Sequence, residues 1–258
     1  MTLRRLTGAA LCGLAGAAIA ACSPEPAPAA SSTPPPAPPT AGAPAPGGID
    51  LSRESIGGEP VAFVALAGNW VVAEDEGQNV VMVDGRTWTT GTPPAQLDKK
   101  AAVVFPADAA AFASRVSSGL KFPFAVARDV PEFSSGEIAV RFKLVGGESD
   151  QFASILFGLQ PNADHLALRY NTKDHDMALW RVKDGERERI HHGGVETKVP
   201  LGEWRLLRLV VNGAAIEGYL DDRRLLTHTL PEAPRGRVGL WAKADSVTAY
   251  KEYRVVAR

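Results

Sequence analysis

From Gly136 onward the chain alternates between hydrophobic and polar positions. Ile138, Val140, Phe142 and Leu144 interleave with Glu137, Ala139, Arg141 and Lys143. A period of two predicts a strand with one buried and one wet face. Phe152 to Leu159 is an essentially continuous apolar run, the pattern of a central strand covered on both faces. Leu166, Leu168 and Tyr170 then alternate with His165, Ala167 and Arg169, and a polar turn at 171–176 leads into an apolar strand at Met177–Val182. Lys183-Asp184-Gly185-Glu186 carries hairpin-turn chemistry. Four more β-like runs follow, at 204–211, 215–220, 237–243 and 247–256, separated by Asn-Gly, Asp-Asp and Pro/Gly-rich breaks.

Closer to the N-terminus the pattern is weaker. Val61 to Leu66, Val71-Val72 and Val80 to Val83 are short strand candidates, and Pro93-Pro94 breaks the chain. Phe105-Pro106-Ala107-Asp108 opens an Ala-rich run that predicts one short helix after a Pro start, with extended structure as the alternative. About a dozen short strands with scarcely any helix and no repeat period describe an all-β, two-sheet antiparallel β-sandwich in one domain, residues 49–258.

The first 48 residues follow a different logic. Met1 to Arg5 is a short basic segment and Leu6 to Ala21 an Ala/Gly/Leu-rich apolar one, the layout of a secretory signal over 1–21. It ends Ile19-Ala20-Ala21-Cys22, which resembles the bacterial lipobox. That resemblance implies cleavage before Cys22 and lipidation of its sulfur, hence a lipid bilayer as partner. Residues 22–48 then form a linker of almost only Pro, Ala, Ser, Thr and Gly, a composition that buries nothing and favours extended polyproline II. At about 3.1 Å per residue it spans up to roughly 80 Å. Ser23 stands where an Asp commonly retains lipoproteins at the inner membrane, which favours the outer membrane of a cell envelope.

Composition changes the picture in two respects. The other cysteine, Cys12, lies within the signal, so the mature domain has no disulfide and must rest on its core. Removing Arg4 and Arg5 lowers Lys+Arg from 28 to 26 against 29 Asp+Glu, a net charge of −3 that gives no electrostatic reason for a nucleic-acid partner.

A family likeness enters on particular residues. Gly-Glu-Trp204-Arg-Leu-Leu-Arg, Ala-Ile-Glu-Gly-Tyr-Leu-Asp-Asp and Gly236-Arg-Val-Gly-Leu-Trp241-Ala-Lys243-Ala-Asp245-Ser246-Val resemble the C-terminal half of concanavalin A-like lectin/glucanase sandwiches. Within that fold they are most similar to the bacterial laminin-G-like group that includes the 3-keto-disaccharide hydrolases. Val140-Arg-Phe-Lys-Leu, Asp150-Gln151, Leu-Arg169-Tyr-Asn171 and Leu-Trp180-Arg extend the likeness over roughly residues 130–258. The resemblance implies a jelly-roll sandwich that can host lectins, hydrolases or adhesive modules. Two departures stand out. The Glu-x-Asp-x-x-Glu strand of glucanases of this fold is missing. Lys251, in Tyr250-Lys251-Glu252-Tyr253, occupies a position where related proteins carry a carboxylate, which argues against calcium, so no cofactor or metal is expected.

The most suggestive polar cluster is Arg169, Asn171, Asp174, His175 and Asp176. Its carboxylates can ligate calcium or grip sugar hydroxyls, or it can simply be a turn rich in Asn and Asp. As an acid/base set for hydrolysis the candidates are Asp150, Asp174 and Asp176, which would have to face each other across a scissile bond. Trp180 and Trp241 are candidate sugar platforms or inter-sheet core, with Lys243 and Asp245 beside Trp241, while Trp204 reads as core. His191-His192 lacks a third nearby ligand and reads as a loop pair. The leading expectation is a membrane-anchored, non-catalytic glycan-binding or surface-interaction module. A glycoside or 3-keto-disaccharide hydrolase and a structural envelope protein with a protein partner are the alternatives.

Overall fold

The structure is a computed structural model that describes residues 47–119, 121–194 and 198–258. The expected signal, Cys22 and the linker up to residue 46 lie outside the described residues.

The chain opens with β1 (Phe63–Ala67), β2 (Trp70–Asp75) and β3 (Gln78–Asp84), followed by two helices, α1 (Leu97–Val104) and α2 (Ala109–Gly119). Next come β4 (Phe124–Ala127), β5 (Gly136–Gly146), β6 (Phe152–Leu159), β7 (His165–Asn171), β8 (Asp176–Lys183) and β9 (Glu186–Gly194). The chain finishes with β10 (Trp204–Asn212), β11 (Ala215–Leu220), β12 (Arg223–Thr229), β13 (Arg237–Trp241) and β14 (Val247–Ala257). These strands form two seven-stranded antiparallel sheets, a jelly-roll β-sandwich. One sheet runs β1-β4-β13-β6-β7-β8-β9, the other β12-β11-β10-β5-β14-β3-β2.

The alternation in the sequence decides which side chains meet between the sheets. Ile138, Val140, Phe142 and Leu144 of β5 point inward against Ile155, Phe157, Leu168, Tyr170 and Leu179 of the facing sheet, all at most 1% exposed. Each such burial contributes on the order of 1.5–3 kcal/mol. The apolar run of β6 is used on both faces. Ala153, Ile155 and Phe157 enter the central core, while Phe152, Leu156 and Leu159 face outward into a second core. Gly158 permits the switch, with a left-handed φ of 64° where β6 slips register against β13.

The second core explains the helices. Ala101 and Val104 of α1 and Phe112, Ala113 and Val116 of α2 cover the outer face of the first sheet over Val64, Leu66, Val126, Leu156 and Trp241. The sequence predicts one helix here. A second forms because Leu97, Ala101 and Val104 recur at helical spacing and meet this apolar sheet face. Ala167 of β7 lies under this cover and Trp180 of β8 packs at its margin, where Arg115 of α2 reaches Asp184 of the β8–β9 turn at 3.7 Å.

Three further expectations are corrected. β12 occupies a stretch left between predicted strands. Leu226 is its only fully buried residue, so the strand forms as a sheet edge on pairing with β11 rather than by its own pattern. His191 and His192 belong to strand β9, and His191 stacks on His228 of β12 at 5.0 Å between ring centroids. Trp204 lies on the outer face of the second sheet, not in the core. Its Nε1 donates to Asp75 at 2.9 Å, and Lys143 and Lys251 stand 5.0 and 4.2 Å from its ring centroid.

Candidate functional site

Beside the helix-covered core, the first sheet's outer face is built by β7, β8 and β9. With Leu168 and Tyr170 turned inward, β7 presents Arg169 and Asn171 outward. Register places Asn171 opposite Asp176, Arg169 opposite Ala178 and Ala167 opposite Trp180. On β9 a register shift beside Trp180 sets Arg189 opposite Trp180 and Arg187 opposite Val182. The tight turn that aims β9 is Asp184-Gly185, with φ of 50° and 78°, the two-residue hairpin expected from its sequence.

A buried polar layer lies at one end of this face. Arg169 is 2% exposed and pairs with Asp176 at 2.5 Å and with Asp174 at 3.0 Å. A buried cation requires such partners, since burial without them costs several kcal/mol. Asn171 is fully buried, and its amide donates to Asp150 at 3.1 Å and to Asp174 at 2.9 Å. Lys243 donates to the second oxygen of Asp150 at 2.8 Å. Asp245 accepts from the backbone N–H groups of Glu148, Ser149 and Asp150 at 2.5 to 3.2 Å. Burial raises its pKa, but these donors outweigh burial and hold the Asp245 carboxyl below the usual range.

Next to this layer stands Trp180, partly exposed and ringed by guanidinium groups. Arg187, Arg169 and Arg189 lie 4.4, 5.2 and 6.0 Å from its ring centroid. These are cation–π distances, and Arg187 also stands 5.2 Å from Phe122. The indole N–H of Trp180 is buried and has no hydrogen-bond partner among the described residues.

The structure therefore gathers Asp150, Arg169, Asn171, Asp174, Asp176, Trp180 and Lys243 into one patch. Trp241 is different. It is fully buried in the second core, with Phe122 and Phe152 at 5.3 and 5.6 Å, because the helices close over that end of the sheet. Asp245 holds a loop rather than facing outward. Arg187 and Arg189 are additions that the sequence reading does not contain. Their signal is the charge alternation of Glu186-Arg187-Glu188-Arg189 directly after a hairpin turn.

Chemically, the patch offers an aromatic face, fixed donors on Lys243 and the arginines, and the exposed acceptor Asp174. Asp150 and Asp176 are each 5% exposed and already engaged, whereas the Asp174 side chain is 49% exposed. One reachable carboxylate falls short of the pair that glycoside hydrolysis uses. Among the described residues no three His, Cys, Asp or Glu side chains gather as a metal set.

No family model matches this chain, and no curated protein matches it. Among solved structures it is similar to a carbohydrate binding module, CBM66, from Bacillus subtilis, with a TM-score of 0.52 and 12% identity over 74% of this chain and 93% of that one. A protein of unknown function with a galectin-like fold from Bacillus subtilis gives 0.47 and 10% identity over 75% and 90% of the two chains. A Bacillus licheniformis β-glucanase gives 0.39 and 13% over 52% and 72%. At these identities the likeness is one of fold alone, the two-sheet antiparallel β-sandwich.

Proposed function

We propose that the outer face of β7, β8 and β9 binds carbohydrate without cleaving it. One observation carries this reading: a partly exposed Trp180 ring stands beside a buried, ion-paired polar layer of Arg169, Asn171, Asp150 and Asp176. A pyranose packs its C–H face on an aromatic ring, and its hydroxyls need donors and acceptors held in fixed positions. The similarity to a structure described as a carbohydrate binding module supports the same reading. In this proposal the module stands on its Pro/Ala-rich linker at an envelope membrane, the outer one favoured, held by lipidated Cys22.

The hydrolase reading rests on one geometric fact. Asp150 and Asp174 both accept from the Asn171 amide, which keeps two of their oxygens within about 6 Å of each other, near the separation used by retaining enzymes. Against it, Asp150 is buried under Lys243.

The deciding experiment screens the purified protein on an oligosaccharide panel, following tryptophan fluorescence and reducing-end release together. Binding without product is expected. Product that disappears in Asp174→Asn with binding retained would establish the hydrolase instead. No response in either channel removes both and leaves a structural role with a protein partner. Binding is expected to survive EDTA, since the carboxylates of the patch are turned onto arginine, lysine and amide donors.

A further inference from the structure

Arg187 departs from the pattern set by the other charged groups of the patch. Arg169 holds Asp174 and Asp176, Lys243 holds Asp150, and Arg189 reaches Asp176 at 3.5 Å. Arg187 pairs with no carboxylate among the described residues, and its Nη1 is buried without a hydrogen-bond partner. Carboxylates are not lacking nearby in the chain. Glu186 and Glu188 flank it, yet Glu186 pairs with Lys121 and Glu188 lies 3.9 Å from Arg181. Elsewhere on the strands, guanidinium groups such as those of Arg141, Arg205 and Arg208 each meet a carboxylate. Within the patch four cations, Arg169, Arg187, Arg189 and Lys243, thus face three carboxylates, Asp150, Asp174 and Asp176.

An unpaired, half-buried guanidinium beside a second one is electrostatically unfavourable until an anion joins it. Burial and then the positive charge of Arg169 push the Arg187 guanidinium below its ordinary pKa, and the weaker pull of Asp150 and Asp174 does not make this up. Its planar fork matches an oxyanion, and lying over the Trp180 ring it would hold one beside that ring.

We propose that the ligand is an acidic glycan, whose sugar-borne oxyanion pairs with Arg187 while a ring packs on Trp180. This rests on the carbohydrate-binding reading above and narrows it. A planar uronate carboxylate and a sulfate ester share the recognising chemistry.

The test compares oligogalacturonate with the same oligomer after carboxyl reduction, and adds a sulfated galactan oligomer as a third arm, all by calorimetry on the wild type, Arg187→Gln and Arg187→Lys. The wild type is expected to bind the acid at least roughly tenfold more tightly than its reduced form. Arg187→Gln should abolish that difference and Arg187→Lys should keep part of it, with the difference shrinking as salt rises. Preference for the sulfated arm over the uronate identifies sulfate as the source of the charge and upholds the proposal. Equal binding of the acid and reduced forms overturns it and leaves neutral glycan binding standing. An acid preference unchanged in Arg187→Gln overturns it as well. Binding of no glycan at all removes the carbohydrate reading along with it. Melting curves of the variants verify folding. Should Arg187→Gln fail to fold, Arg187→Lys and the wild-type salt titration still decide.

Discussion

Lys243 donates to Asp150 at 2.8 Å and so joins two loops 93 residues apart, one leading into β6 and the other leading out of β13. Asp150 is nearly buried, so removing the ammonium leaves a carboxylate with the Asn171 amide as its remaining side-chain donor. Lys243→Met should lower stability by about 1–3 kcal/mol, and Lys243→Met combined with Asp150→Asn should recover part of the loss. Urea unfolding of the wild type, the single variants and the double variant measures the coupling. Simple additivity would show that the pair contributes nothing.

Two of the three partly exposed tryptophans, Trp180 and Trp204, provide an internal control. Trp180→Ala should weaken glycan binding roughly tenfold or more, by removing the stacking surface. Trp204→Ala, on the outer face of the opposite sheet, should leave affinity unchanged while altering the fluorescence baseline. Titration of both variants with one oligosaccharide separates them, and an equal effect from Trp204 would move the site to the other sheet.

His165 makes stability depend on pH. It is buried, with Nδ1 2.9 Å from the Ala163 carbonyl oxygen, and burial pushes its imidazole down to about 4. The unfolded chain takes up that proton near pH 6.5 and the folded chain only near 4. Its contribution is therefore complete above pH 6.5 and is lost as pH falls from about 6.5 to about 4, amounting to about 2 kcal/mol at pH 5. Unfolding free energies at pH 7 and pH 5 should differ more for the wild type than for His165→Gln. Equal pH slopes would contradict the assignment.

Gly239 lies where β13 runs against β4. A Cβ there would sit 2.0 Å from the Ala125 carbonyl oxygen, a backbone atom that cannot rotate away. Gly239→Ala should cost about 3 kcal/mol by forcing these strands apart. Thermal unfolding tests it, and a near-normal melting temperature would mean that the sheet yields there at little cost.

How much of this was legible in the sequence depends on whether one face of a strand is apolar. The alternation over Ile138–Leu144 and the doubly covered run of β6 were readable because hydrophobicity alone selects their faces. The turn-rich spacing identified the sandwich, and residue type singled out Asp150, Arg169, Asn171, Asp174, Asp176, Trp180 and Lys243, but only strand register brings them together. β9 was not readable. Glu186-Arg187-Glu188-Arg189 has no apolar face, so its outward residues are fixed by register with β8 and by the shift beside Trp180. Trp241 failed for a different reason. Nothing in its own strand records that α1 and α2 dock over that end of the sheet.

The position of β9 at the margin of its sheet has an evolutionary consequence. Arg169, Asn171, Asp150 and Asp176 form a floor whose members depend on one another, so changing any of them unsettles the rest. Arg187 and Arg189 form a wall on an edge strand; replacing Arg187 removes no link to that floor, and replacing Arg189 removes only its 3.5 Å contact with Asp176. Variation at these two positions can retarget the module from one glycan to another while the scaffold beneath is inherited unchanged. Binding libraries that randomise 187 and 189 alone should therefore return folded proteins of altered taste.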